Sequence, residues 1–278
     1  MVATVPELLT LLDLERIDDD ILRGHAPATT LQRVFGGQVL AQAIIAGART
    51  VPDDRPPHSL HGYFLRPGDP AVPIVYVVER TRDGGSFTTR RVIARQHGRP
   101  IFHMTASFQV VEQGLEHQDE MPEVPEPDGL PTLAERIAAS GRPVAPDEWG
   151  VLDVRYGGEE ADRLQVWLRT VSALPDGAAL HAAVLAYASD LTILGTALRP
   201  HGIGFENPEL ISASIDHAMW FHRPARADEW LLHDQDTPSA SGGRGLGRGR
   251  MFDQQGRLVA TTVQEGLMRL RRPDTRLG

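Results

Sequence analysis

The feature that most constrains this chain is an internal echo at a nearly fixed spacing. Phe64-Leu65-Arg66-Pro67 matches Phe221-His222-Arg223-Pro224 at an offset of 157 (221 − 64). Asp83-Gly84-Gly85-Ser86 matches Ser241-Gly242-Gly243-Arg244 at 158 (241 − 83), and Gly98-Arg99 matches Gly256-Arg257 at 158 (256 − 98). Three matches in order, drifting by one residue, describe a duplicated unit with a one-residue insertion or deletion. A chain of 278 residues has room for two such units.

The local patterns agree with a repeat. In the first half, residues 37–50 are apolar nearly all round, the mark of a buried helix. Strand-like runs follow at 59–65, 73–80, 87–96 and 101–111, separated by Gly68-Asp69-Pro70, Asp83-Gly84-Gly85 and His97-Gly98. The second half repeats the order, with an apolar helix expected over 178–198 and strands over 212–222, 229–235, 245–252 and 258–270. A helix followed by an antiparallel meander is an α+β unit, here present twice. The expected division is a first unit over 1–111, an acidic proline-rich connector over 112–148 with a short helix near 132–140, and a second unit over 149–278.

Composition removes several kinds of chemistry. Hydrophobic residues make up 41% of the chain, enough for a sizeable core. The chain has no cysteine, which excludes disulfides, thiolate metal sites and a thiol nucleophile. It has no lysine either, which excludes a Schiff-base or phosphate-loop lysine. A net charge of −9 argues against nucleic acid as a partner. No Gly-x-Ser-x-Gly elbow occurs; Ser239-Ala240-Ser241-Gly242-Gly243 lacks the first glycine. The run Gly242 to Gly249 sits where a strand belongs and reads as a bulged, twisted strand. The histidines show no metal-ligand spacing, and no metal or cofactor is expected. Neither a membrane span nor a signal peptide is expected, and the chain reads as cytoplasmic.

The remaining motifs carry the functional signal. They are Arg33-Val34-Phe35-Gly36-Gly37-Gln38, His58 to Pro67, Arg82 to Phe87, Tyr187-Ala188-Ser189-Asp190, His201-Gly202-Ile203-Gly204, Ile215 to Pro224 and Val263-Gln264-Glu265-Gly266. Together, in this order from about Leu8 to Arg269, they resemble the type II acyl-CoA thioesterases, the TesB family. The resemblance implies a double hotdog: two tandem units, each an antiparallel sheet wrapped around a long helix. It implies hydrolysis of fatty acyl-CoA to a fatty acid and coenzyme A, with coenzyme A entering only as part of the substrate. Asp190, Ser214 and Gln264 fall on the family positions that hold the attacking water. Many bacterial members carry threonine where Ser214 stands, so the hydroxyl is kept and a methyl is lost. A homo-oligomer, dimer or tetramer, is the family expectation.

The residue types suit that chemistry without the name. A thioester is already activated, so a positioned water and a stabilised oxyanion suffice. A carboxylate with apolar flanks can serve as a general base, and a hydroxyl and an amide can each donate and accept to orient a water. On strict alternation Ser214 shares its face with Ser212, Asp216 and Ala218, and Gln264 shares its face with Ala260, Thr262 and Gly266. Each residue also has a plain reading: Asp190 as a helix cap, Ser214 as a polar strand residue, Gln264 as a partner for backbone. Asp216 and His217, on opposite faces, read as structural. For the carbonyl oxygen, Gly37 and Gln38 at the opening of the first helix offer free N–H groups, and Gln38 is expected to occupy the first-unit position equivalent to Asp190. Arg82, Arg90, Arg91, Arg244 and Arg248 are candidates for the phosphates of coenzyme A, most of them as solvated strand-edge residues. Two other readings stay open: a hotdog enoyl-CoA hydratase, disfavoured by Gly195 five residues after Asp190, and a non-catalytic acyl-CoA sensor.

Overall fold

The computed structural model describes residues 2–139 and 149–271. Helix α1 (Val5–Leu12) opens the described chain, held by a capping box between Thr4 and Glu7. A hairpin of β1 (Glu15–Asp18) and β2 (Ile21–Gly24) leads to helix α2 (Gly36–Ala48) and then to β3 (Pro57–Phe64), β4 (Ile74–Asp83), β5 (Phe87–Gln96) and β6 (Arg99–Gln109). The connector carries the short helix α3 (Leu133–Ala139). The order then recurs with β7 (Leu152–Glu159), β8 (Arg163–Thr170), α4 (Ala178–Ser189), the single turn α5 (Ile193–Thr196), β9 (Leu210–Ser214), β10 (Asp216–Phe221), β11 (Leu231–Ser241), β12 (Arg244–Asp253) and β13 (Leu258–Leu270).

All the described strands join one sheet. Outward from its middle, one half runs β3-β6-β5-β4-β2-β1 and the other β10-β13-β12-β11-β8-β7, with β9 also paired to β13. The two paths are the same topology, so the fold is a double hotdog. The halves meet edge to edge where β3 pairs antiparallel with β10. The pairs Ser59–Trp220 and Tyr63–Asp216 exchange under the 157-residue shift, as an approximate twofold axis at this seam requires. The echoed glycines close equivalent hairpins: Gly84-Gly85 links β4 to β5, and Gly242-Gly243 links β11 to β12.

Residues Gly37 through Gly47 of α2 are all buried, and so are His181 through Ser189 of α4. A helix apolar on every side must be enclosed, and here the sheet encloses the pair. The two helices pack on one another in opposite directions, with the start of α2 against the end of α4: a methyl at Gly37 would lie 2.6 Å from the Tyr187 carbonyl. By length and composition the run Ala178–His201 could cross a bilayer, but its α4 segment lies enclosed within the sheet.

Three sequence expectations are corrected. The helix expected over 178–198 stops at Ser189, with Asp190 as its C-cap. The Ser189 hydroxyl bonds back to Ala186 O, and the buried Gln235 amide ties down Thr192 and Thr196, so a turn and α5 replace further helix. The glycines of β12 keep register with β13, and the irregularity lies on the other side, where β11 carries an extra residue between Asp236 and Ser239 opposite Gly247; the glycines themselves make room. A methyl at Gly247 would lie 2.6 Å from Ile193 O, and one at Gly245 would lie 2.8 Å from Ala197 Cβ, so α5 rests directly on the strand. The strand expected over 212–222 is interrupted at Ile215, with consequences at the site. Two hairpins, β1–β2 and β7–β8, were not foreseen.

The connector is not a free tether. Met121, Val124 and Leu130 cover an outer cluster of Trp167, Trp230, Leu232 and Phe252 on the second half, and Trp167 Nε1 donates to Pro125 O at 2.9 Å. Its stretch from Ser140 to Glu148 lies outside the described residues.

Candidate active site

Three sequence-predicted residues converge from three elements. Asp190 arrives on the end of α4, Ser214 on the last position of β9, and Gln264 in the middle of β13. Gln264 Nε2 donates to Asp190 Oδ1 at 2.6 Å and to Ser214 Oγ at 2.9 Å. The Asp190 side chain is 5% exposed and Gln264 is fully buried. Because the amide donates into the Ser214 oxygen, this neighbour cannot remove the hydroxyl proton. The geometry therefore makes Ser214 a hydrogen-bonding group, with no basic side chain bonded to its hydroxyl among the described residues.

The meeting of Ser214 with Gln264 depends on a bulge. Ser214 pairs with Gly266, Ala218 pairs with Val263, and both Ile215 and Asp216 bond to Glu265. Two residues opposing one is a β-bulge, which shifts the alternation by one position. Ser214 therefore shares its inward face with His217 and Met219, not with Asp216 and Ala218 as simple alternation predicts. Asp216 turns outward to the seam, where Oδ2 meets His61 Nε2 at 2.9 Å. The first half carries the same device: the β3–β6 register shifts between Pro57 and Ser59, 157 residues before Ser214 and Asp216.

The bulge brings in His217, which sequence reasoning placed in a structural role. It is fully buried, with Nε2 3.0 Å from Ser189 Oγ and Nδ1 3.6 Å from Asp190 Oδ1. On the other side of Asp190 stands the start of α2. Its N-cap Phe35 supplies no side-chain hydrogen bond, so the first-turn N–H groups have no intrahelical acceptor. A methyl at Gly36 would lie 2.7 Å from Asp190 Oδ2 and 3.1 Å from Phe64 Cζ. Only a glycine lets the helix start approach the carboxylate this closely. Beside it a cavity of about 320 Å³ opens at the seam, lined by Gly36, Val39, Phe64 and Ser214 with Arg33 and Arg66.

The chain's relatives bear on what this cavity serves. Residues 139–267 match the family model described as acyl-CoA thioesterase, and residues 25–109 match the acyl-CoA thioesterase N-terminal domain. Acyl-CoA thioesterase 2 of Haemophilus influenzae is 42% identical over 94% of this chain and 96% of its own length. Human acyl-coenzyme A thioesterase 8 is 39% identical over 94% of this chain and 88% of its own. The chain belongs to the acyl-CoA thioesterase family. Among solved structures, the acyl-CoA thioesterase II TesB2 of Mycobacterium marinum superimposes with a TM-score of 0.81 at 48% identity, covering 94% of this chain and 98% of that one.

Within this thioesterase-family fold, the other predicted site residues divide. The start of α2, with Gly37 and Gln38, lies beside the site, but the buried Gln38 side chain faces a separate small pocket with Phe35, Trp149 and Tyr187. Gln38 is also not the equivalent of Asp190. Asp190 caps the end of α4, so its counterpart is Arg49, the cap at the end of α2. Opposed helices bring the start of one to the end of the other, which a match of motifs along the chain cannot reveal. The arginine expectation also changes. Arg91, Arg244 and Arg248 pair with Glu79, Glu265 and Asp236, and Arg90 is buried on Thr50, Asp83 and the Arg82 carbonyl. The arginines that line the cavity are Arg33 and Arg66, and neither forms an ion pair among the described residues. Their signal was present in the sequence, as both sit inside motifs that carry the family resemblance.

Proposed function

We propose that this protein hydrolyses fatty acyl-CoA thioesters to a free fatty acid and coenzyme A, using a water activated by Asp190. The observation that carries the proposal is the single amide of Gln264 bonded to both Asp190 and Ser214 at the edge of the seam cavity. In this reading the carboxylate takes a proton from the water while the Ser214 hydroxyl, itself oriented by the Gln264 amide, holds the water oxygen toward the thioester carbon. The new C–O bond forms, and the negative charge moves to the carbonyl oxygen. The N–H groups of Gly37 and Gln38 at the positive end of α2 stabilise that charge. Collapse breaks the C–S bond, and the thiolate leaves and takes up the proton. The reading is supported by what surrounds the trio. Val39 and Phe64 offer an apolar wall to the acyl or pantetheine chain, and Arg33 and Arg66, which form no ion pair among the described residues, offer positive charge to an anionic carrier.

The deciding measurement is thiol release from a panel of acyl-CoAs by the wild type and Asp190→Asn. A general base contributes on the order of 10²–10⁴ in rate, so the variant should fall at least about a hundredfold. Undiminished turnover in the variant removes Asp190 from its role. Binding of acyl-CoA without thiol release at any chain length favours the sensor.

A further inference from the structure

One buried titratable group unused by that mechanism stands directly against its base. His217 lies inside the protein on the bulged strand, between Ser189 and Asp190. Its hydrogens can be assigned from its neighbours. The Ser189 hydroxyl has one proton and donates it to Ala186 O at 2.9 Å. Toward His217, therefore, Ser189 can only accept, and the ring must carry a hydrogen on Nε2.

That assignment turns Nδ1 toward Asp190 Oδ1 with no other partner among the described residues. Without a hydrogen, its lone pair would face the lone pairs of a carboxylate where no water can intervene, which is repulsive. A single hydrogen on this edge converts it to a charge-assisted bond. The spacing of 3.6 Å is long for a formed bond, as is common before substrate fills a site. A second such atom adjoins it: Gln264 Oε1, one residue past the Ala218–Val263 pair, is buried without a donor among the described residues.

We propose that His217 is the positioning residue of the site and that one proton is held between its Nδ1 and Asp190 Oδ1. This inference rests on Asp190 being the base. The shared proton fixes Oδ1, together with the Gln264 amide, and leaves Oδ2 as the oxygen that takes the proton from water. Oδ2 is the atom turned toward Gly36 and the start of α2. Burial pushes the neighbouring His233 down to about 3, so this second imidazole stays neutral and adds no charge of its own.

Two amide replacements separate this role from simple packing. In His217→Asn the amide sits where Nδ1 was, so a donor to Asp190 remains and the tie to Ser189 is lost. In His217→Gln the amide reaches the Nε2 position, so the tie to Ser189 remains and the donor to Asp190 is lost. A hydrogen bond to a charged group is worth about 1.5–3 kcal/mol, so His217→Gln should lose roughly ten- to a hundredfold in kcat with KM unchanged. His217→Asn should retain more kcat than His217→Gln. The reverse ranking, or equal losses, overturns the proposal and leaves His217 as a core residue. Combining His217→Gln with Asp190→Asn covers the case of poor folding. A residue acting through Asp190 adds no further loss of kcat per folded molecule in that background, whereas an additive loss overturns the role. If Asp190→Asn alone leaves kcat intact, it is the assignment of the base that fails, and the ranking of the two amides still reports on His217.

Discussion

The two ends of the α2–α4 pair are built alike and equipped differently. At one end the start of α2 meets the end of α4; at the other the start of α4 meets the end of α2. Each end has a bulged strand at the seam and each opens on a cavity. The cavity at the second end, lined by Ile45, Arg49, Arg55, Gly177 and Leu180, is the larger at about 470 Å³. Where the first end has Asp190, the second has Arg49, and where the first has Ser214, the second has Pro57 (214 − 157). Opposite His217 and Gln264, the register places the pair Leu60–Ala106. A carboxylate, a hydroxyl, an imidazole and an amide are matched by a guanidinium, a proline and two aliphatic groups. Beside them, Arg90 fills the interior with its own complete set of hydrogen bonds. Cavity size does not set the two ends apart in kind; the polar groups do.

The comparison breaks most sharply at the helix caps. Asp190→Asn should lower kcat at least about a hundredfold, while Arg49→Asn should leave thiol release near wild type in the same assay. Similar losses in both would mean that the second end takes part in turnover. The next effect is on stability, at the pair His233 and Tyr76 (233 − 157). Both are buried, and both sit on the third residue of equivalent strands. Burial depresses His233 to about 3, against about 6.5 in an unfolded chain. Below pH 6.5 the unfolded state binds a proton that the folded state refuses, so stability is lost as pH falls toward 3. Tyr76, raised well above its ordinary value by burial, stays neutral throughout. Urea titrations at pH 6.5 and 4.5 should show a loss on the order of 2 kcal/mol from His233, and His233→Gln should reduce that loss. An unchanged acid dependence in the variant would absolve His233.

The glycines give smaller contrasts. Gly36→Ala should push the Asp190 carboxylate from its place, with a loss of about tenfold in kcat/KM, or roughly 1.4 kcal/mol. Gly47→Ala, at the other end of the same helix, meets only ordinary contacts, 3.4 Å from Phe108 Cζ at the nearest. It should stabilise the fold by about 0.5–1 kcal/mol through helix propensity, seen as a higher melting temperature at unchanged activity.

What could be read from the sequence follows the range of the interactions involved. The meanders were legible because hairpin glycines and alternating burial are local, as in β5, where Thr88, Arg90, Val92, Ala94 and Gln96 turn inward. The β1–β2 hairpin escaped because β1 is exposed at every position and carries no alternation. Asp190, Ser214 and Gln264 could be named from motifs, but their meeting could not. It depends on a bulge at Ile215 that nothing in Ser214-Ile215-Asp216 announces, since bulges are settled by pairing with a distant strand. The same slip hid His217. The end of α4 at Asp190 was hidden for a similar reason, because Gln235, 45 residues away (235 − 190), ties down the turn that follows.

The seam between β3 and β10 has a further consequence. Two identical subunits sharing such a sheet would have to change both sites with every substitution, because one gene would write both. Here the two copies are written separately and joined in a single reading frame. A change at Ser214 leaves Pro57 untouched, and the reverse also holds. The chain can therefore specialise one end for turnover and spend the other on rigidity, and an engineer can redesign either without disturbing its twin.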